Sequence, residues 1–395
     1  MKIGILTLHS QLNYGGVLQC WALQTALRRL GHEVVVIDRW LDRENHYLER
    51  GFNKKSRKWW LKAWVRQLFG TGYLRFWFRV WRTKRFISKN LLLTNYHFHS
   101  WDEVPKDLGV DLVVVGSDQV WNPAFWYGDA YLMHDAPDVP KVSYAASIGV
   151  SQLMDADRPK YLTALQRFKA ISCRETEGVE ICRDLGLNAV HTVDPTQLIK
   201  ASDWSLLIGS SGGLMQKRPI LVCYFLGTDL SSVMPHLQAF ARERKCRVKV
   251  FAGDWVHQPV LAMPNTPRRM WRCLRMNAKL LFSRVKIMEG AGPKEFVKAF
   301  SSATWVVSDS FHALMFSAIF NRNCRILAPQ NAGRVKMFGR ITEFAKHVNG
   351  PLVANDIVAA LASIRSGASV SYDTEWLEAE RKRSISFLEE NVGMK

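Results

Sequence analysis

Four short blocks of this 395-residue chain put reactive side chains where a strand gives way to a loop or helix. His312 closes Ser308-Asp309-Ser310-Phe311-His312, directly after the apolar run Thr304-Trp305-Val306-Val307 and ahead of a helical stretch from Ala313 to Phe320. A side chain there sits at the carboxyl end of a strand and at a helix N-terminus, where free N–H groups and the helix dipole favour an anion. The chemistry it offers is anion binding with proton transfer; the ordinary alternative is a buried histidine held by hydrogen bonds. Arg174 ends Ile171-Ser172-Cys173-Arg174. Its planar fork suits a carboxylate or phosphate, unless it pairs at the surface with Glu175 or Glu177. Asp118, in Gly116-Ser117-Asp118-Gln119, and Asp194, before Pro195, end two further strands and offer a carboxylate to a hydroxyl. For Asp194 a helix cap or turn is the stronger reading. Asn13-Tyr14-Gly15-Gly16 forms a loop whose glycines allow close backbone approach to a ligand, or simply join two elements. The spacing is not that of a dinucleotide fingerprint, although Asp38 lies at about the right distance.

These residues need a frame, and the hydrophobic pattern supplies one. Lys2–Leu8 reads as a strand, positions 17–30 as a helix ending before Gly31, and Glu33–Asp38 as a second buried strand, which makes a βαβ unit. Strands over Leu112–Val115, Val142–Ala146 and Ile171–Arg174, with a helix around Lys160–Phe168, extend this into an α/β domain over 1–205. Gly209-Ser210-Ser211-Gly212-Gly213 reads as a linker. The pattern then restarts with strands at Pro219–Phe225, Cys246–Phe251, Thr304–Val307 and Cys324–Leu327 and helices at Met234–Glu243 and Lys294–Ser301. A second α/β domain over 215–373 and a C-terminal helix over 374–395 follow. Ligands of such folds sit beyond the carboxyl ends of the strands.

Composition narrows the function classes. With 48% hydrophobic and 23% charged residues the chain is globular, and no apolar run is long enough to span a membrane. The N-terminus lacks the pattern of a secretory signal. Seven scattered cysteines without a C-x-x-C pair argue against a disulfide framework or zinc ribbon, and a cytoplasmic, reducing setting fits. The net charge is +19, and the segment from Lys54 to Lys89 holds 12 Lys/Arg and no Asp or Glu. Trp59, Trp60, Trp64, Trp77 and Trp81 interleave with those cations. An anionic membrane surface, a nucleic acid, or a helical pair with aromatics packed inward each explain the pattern.

Taken together, the blocks resemble the polysaccharide pyruvyl transferases. They are the opening Gly4-Ile5-Leu6-Thr7 to Gln24, Asp111–Pro123, Ile171–Gly178 with Val193-Asp194-Pro195-Thr196, and Val306–Phe320. The resemblance implies two Rossmann-like α/β domains facing a cleft, similar to the B-type glycosyltransferase fold. It implies transfer of enolpyruvate from phosphoenolpyruvate to two hydroxyls of a sugar in a bacterial surface polysaccharide or its lipid-linked precursor, giving a pyruvate ketal. No metal and no cofactor are expected. His312 matches the family's essential histidine and Arg174 its donor-binding arginine; Ser310 joins them on the donor. A third donor-binding cation is expected from the loop holding Arg334, Lys336 and Arg340, with Lys336 favoured. Asp118 is the candidate for activating a sugar hydroxyl, and Asn13, Tyr14, Gly15 and Gly16 for acceptor contacts. A lipid-linked acceptor implies a peripheral position on the inner membrane face through 54–89, with no nucleic acid. Cys173 stands where the family more often has Val, and the basic segments at 54–89 and 264–286 depart from it. The alternative is a nucleotide-sugar-dependent glycosyltransferase of the same architecture.

Overall fold

The computed structural model describes residues 1–10, 12–40, 73–125, 127–209, 218–253, 283–329 and 338–393. A first sheet is built from β1 (Lys2–Leu6), β2 (Glu33–Arg39), β3 (Leu93–Phe98), β4 (Leu112–Val115) and β5 (Lys141–Ser143), in the order β3-β2-β1-β4-β5 and parallel throughout. Its central strands are unbroken apolar runs, as strands covered on both faces must be. A short parallel pair, β6 (Ser172–Cys173) and β7 (Val190–His191), continues from its edge, because Ala146 bridges to Cys173.

The second sheet uses β8 (Ile220–Phe225), β9 (Arg247–Ala252), β10 (Val285–Ile287), β11 (Trp305–Ser308) and β12 (Asn323–Leu327). A small ribbon joins β13 (Val348–Asn349) to β15 (Ser371–Tyr372), and β14 (Val353–Ala354) completes the sheet in the order β10-β9-β8-β11-β12-β14. Both sheets therefore wind outward from their first strand and reverse beside it, the Rossmann-like order, and the crevice at each reversal is the ligand position of such folds. The architecture is two Rossmann-like α/β units with a C-terminal helix, Thr374–Val392. That helix returns to the first unit: Val193 N donates to Ser384 Oγ at 3.0 Å and Arg381 Nε to Gln197 O at 2.6 Å.

Several elements differ from the sequence expectation, three of them informatively. The helix Tyr14–Arg29 begins inside the supposed loop, because Asn13 caps it by accepting from Gly15 N at 2.9 Å. Glycine is tolerated in a first turn whose N–H groups lack intrahelical partners. β5 stops at Ser143, ahead of Ala145 with its φ of 50°. β3 carries too little apolar alternation to be read as a strand; it pairs with β2 at the sheet edge.

The two units share one apolar core. Ile3, Val17 and Val114 of the first unit belong to the same cluster as Val222, Phe296 and Phe316 of the second. Tyr14, 1% exposed, stacks on Phe296 at 4.6 Å between centroids and donates its hydroxyl to Ala291 O at 2.9 Å. The helix Tyr73–Asn90 reinforces this seam. Its Arg79 donates to Leu12 O at 2.6 Å and lies 4.5 Å from the Tyr14 ring, and Arg82 donates to Gly290 O at 2.6 Å. No helix among the described residues is long and apolar enough to cross a membrane.

Candidate functional site

Asp194 is the centre of a buried polar cluster between the units. It caps the short Pro195–Leu198 helix, with Oδ1 accepting from Thr196 N at 3.0 Å and Thr196 Oγ1 at 2.7 Å. Its other oxygen, Oδ2, accepts from Arg174 Nη1 at 3.1 Å and Ser117 Oγ at 3.4 Å, and faces His312 Nε2 at 3.6 Å. The last distance is an electrostatic contact rather than a hydrogen bond. His312 comes from the second unit, in the first turn of the Phe311–Ile319 helix, and crosses to the first. Its ring lies against Gly15 so closely that a Cβ on Gly15 would fall 2.2 Å from Nδ1. Glycine is thus required by contact with the imidazole, a sharper reason than loop flexibility.

Arg174 follows β6 and is 4% exposed. Nε donates to Glu175 Oε1 at 3.1 Å, Nη1 holds Asp194, and Asp118 Oδ1 lies 3.8 Å away. Glu175 Oε1 also accepts from Ser147 Oγ at 2.7 Å and from Arg340 Nη1 at 3.4 Å. The guanidinium carbons of Arg174 and Arg340 each sit 4.9 Å from the Phe311 ring centroid, so this phenyl spaces two cations. Asp118 adopts a φ of 69°, a left-handed conformation uncommon for a residue with a side chain. Its Oδ1 accepts from Gln119 N at 3.0 Å.

The electrostatics follow from these contacts. Burial pushes the Asp194 carboxyl up, but His312, Arg174 and Thr196 outweigh it and hold the group well below the usual carboxylate range. Burial lowers the Arg174 pKa, yet the charges of Glu175, Asp194 and Asp118 raise it overall. Arg340 is lowered by burial and by the charge of Arg174, with partial compensation from Glu175 and Asp118. Several buried polar atoms find no hydrogen-bond partner: Arg174 Nη2, Arg340 Nε, Ser310 Oγ, His312 Nε2 and Glu175 Oε2. Ser310 is the N-cap of the Phe311–Ile319 helix and makes no side-chain cap bond. Four of these five atoms are donors or can act as donors, which suits an anionic ligand.

Of the candidate residues, Arg174, His312, Asp118 and Arg340 meet in this cluster, with Ser310 one residue before Phe311, Gly15 behind the His312 ring and Gly16 nearby. A Cβ on Gly16 would lie 2.6 Å from the Leu8 carbonyl and 3.5 Å from Asp118 Oδ2. Asn13 caps its helix, and Tyr14 is a core residue whose hydroxyl is used at Ala291, so neither side chain is turned to a ligand here. The open fork expected of Arg174 is occupied by protein carboxylates, and only Nη2 remains. Arg334 and Lys336 lie outside the described residues. Asp194 and Glu175, which sequence reasoning gave to a cap and a surface pair, prove central. Asp194 does cap, and the same carboxylate binds Arg174. Among the described residues no group of His, Cys, Asp and Glu is arranged to hold a metal ion.

Comparison with known proteins bears on this arrangement. The sequence model of the family described as polysaccharide pyruvyl transferase matches residues 13–331. No curated protein matches the chain in sequence. Among solved structures, UDP-N-acetylglucosamine 2-epimerase from Rickettsia bellii is 9% identical, with 99% of this chain and 98% of that one covered and a TM-score of 0.47. The UDP-GlcNAc 2-epimerase from Neisseria meningitidis, bound to UDP-GlcNAc, gives 8% identity, coverage of 97% and 94%, and a TM-score of 0.47. MurG from Acinetobacter baumannii gives 10% identity, coverage of 98% and 94%, and a TM-score of 0.38.

Proposed function

Because the chain belongs to the polysaccharide pyruvyl transferase family, we propose that it transfers pyruvate from phosphoenolpyruvate to two hydroxyls of one sugar, forming a cyclic ketal. The observation that carries this reading is the set of unpartnered buried donors around Phe311, built on a cluster whose own charges nearly cancel. Arg174 and Arg340 face Asp118, Glu175 and Asp194, so with His312 neutral the cluster is close to one negative charge. A protonated His312 brings it to neutrality; Arg334 and Lys336, outside the described residues, are the expected further cations for a donor with carboxylate and phosphate groups.

The reaction then balances as follows. The first sugar hydroxyl adds to C2 of the donor while C3 takes up a proton, turning the methylene into a methyl group. The C2–O bond to phosphate breaks, and the second hydroxyl closes the ring on C2. Of the two hydroxyl protons, one is accounted for at C3 and one on the released phosphate. His312, held by Asp194 and Gly15, stands at the phosphate-leaving end as cation and acid. Asp118 holds or activates a hydroxyl, and Ser310 Oγ and Arg340 Nε bind the leaving phosphate. No cofactor enters this scheme.

The acceptor is a saccharide of a surface polysaccharide or its lipid-linked precursor, met at the cytoplasmic membrane face. Support for a membrane role comes from exposed Phe78 and Trp81 on the Tyr73–Asn90 helix, with Arg85 stacked 5.4 Å from the Trp81 ring. Arg79 of that helix is buried at the seam, whereas Arg75, Lys84, Arg85 and Lys89 are exposed and offer cations beside those rings; residues 54–72 lie outside the described residues. The deciding experiment is incubation with phosphoenolpyruvate and candidate glycosides, following phosphate release and ketal mass gain. Turnover with a nucleotide sugar and none with phosphoenolpyruvate would replace this reading with glycosyl transfer.

A further inference from the structure

Arg39 is the last residue of β2 and is 4% exposed, yet its Nε and Nη1 are buried with no hydrogen-bond partner. Among the described residues it forms no ion pair. Its guanidinium lies against the Tyr131 ring, whose centroid is 4.9 Å from the guanidinium carbon. The neighbouring carboxylate, Asp38, is already engaged: its Oδ1 meets His9 Nε2 at 3.0 Å and accepts from Trp40 Nε1 at 2.6 Å. A cation–π contact recovers only a small part of what desolvating a guanidinium costs. Arginine cannot shed its proton to escape that cost. Such a group is stable in place when an anion from outside the fold completes it.

Its position says which substrate would bring the anion. Arg39 lies at the carboxyl edge of the first sheet, where ligands of parallel sheets bind. In the order β3-β2-β1-β4-β5, the end of β2 is two strands from the end of β4, just beyond which lies Asp118. At the ordinary ladder spacing that is ~10 Å, the reach of a sugar ring with an anionic substituent. The unpartnered donors near Asp118 and Phe311 belong to the donor cluster, whereas Arg39 is separate from it.

We propose that Arg39 reads an anionic group on the acceptor, so that the saccharide carries a phosphoryl or carboxyl substituent which fills this empty fork. The assignment to the acceptor rests on the proposed saccharide reaction; the anion site itself does not. The test is thermal denaturation of the full chain as wild type, Arg39→Leu and Arg39→Lys, each also in a His312→Ala background to remove the donor site. Inorganic pyrophosphate and glucuronate are the probes, standing for a phosphoryl-linked and a uronic acid acceptor. With no hydrogen bond or ion pair to lose among the described residues, and only the Tyr131 ring contact given up, Arg39→Leu should melt no lower than wild type without ligand. Its apparent Kd for the responding anion should rise ~10–100-fold, as expected for losing charge-assisted hydrogen bonds. Arg39→Lys should fall between, and the difference should persist with His312→Ala. A response to pyrophosphate alone identifies the phosphoryl source, and one to glucuronate alone the carboxyl source. Equal anion responses in wild type and both Arg39 variants, no response in wild type, or an Arg39→Leu that fails to fold would overturn the proposal. Protection by phosphoenolpyruvate, measured in parallel, separates the two readings. If it is absent while the Arg39-dependent response remains, the donor assignment fails and the anion site stands.

Discussion

Replacing Asp194 with Asn tests the cluster at its centre. The amide oxygen can still accept from Thr196 N and Oγ1, so the cap survives. The amide nitrogen is then turned towards Arg174 Nη1 and His312 Nε2, putting a donor against a guanidinium and leaving that cation one carboxylate short. Removing one partner of a buried pair costs about 3–5 kcal/mol. Glu175 and Asp118 still face Arg174, so we expect about 2–3 kcal/mol. Turnover should fall about 100-fold, because His312 and Arg174 lose the group that places them. Acid denaturation adds a separate signature. The Asp194 carboxyl is held below its ordinary range in the fold, so its contribution to stability is fully present above the unfolded pKa of about 3.9. That contribution drains away as pH falls below this value towards the depressed folded pKa. Urea melts between pH 7 and pH 2 should show a steep acid limb in wild type and a shallower one in Asp194→Asn. Equal stability at pH 7, together with superimposable acid limbs, would show that Asp194 does not hold the cluster in its charged form.

Gly15→Ala places a methyl where the His312 ring lies, so it should lower turnover sharply and destabilise by about 1–3 kcal/mol, measured by steady-state kinetics and thermal melts. His312→Ala should fold and lose turnover by about 10²–10⁴-fold; full phosphate release by this variant would remove His312 from the chemistry. Phe311→Leu keeps an apolar side chain but loses two cation–π contacts of about 0.5–1 kcal/mol each, and should raise the donor KM more than it lowers kcat. Flotation with anionic vesicles should retain the chain and neutral vesicles should not; equal behaviour with both would remove the electrostatic membrane contact.

The parallel sheets were legible because their strands are apolar runs bounded by glycine or polar residues, as in Leu112–Val115 and Ile220–Phe225. The placement of His312 and Arg174 was legible because each follows a strand, the position from which side chains enter a crevice. Asp194 was legible as a cap, but its contact to Arg174 was not, because a cap needs one carboxylate oxygen and the sequence has no way to display the second. Tyr14 was placed with the loop glycines although its ring is committed to a contact 277 positions away, beyond any local pattern. The close approach of His312 to Gly15 is equally a product of packing between units.

The seam around Tyr14 limits how this protein can be rebuilt. The two halves look like exchangeable modules when each is seen as a Rossmann-like unit. Here the first helix of one half is an internal part of the other, through the Tyr14–Phe296 stack and the Tyr14–Ala291 hydrogen bond. Arg79 and Arg82 fasten the same boundary. A chimera joined near residues 210–217 would carry mismatched surfaces into a shared interior and would melt early, whatever the quality of each half. Recombination should keep positions 12–14, the inner face of Tyr73–Asn90 and 289–296 together as a set, because the two halves meet there.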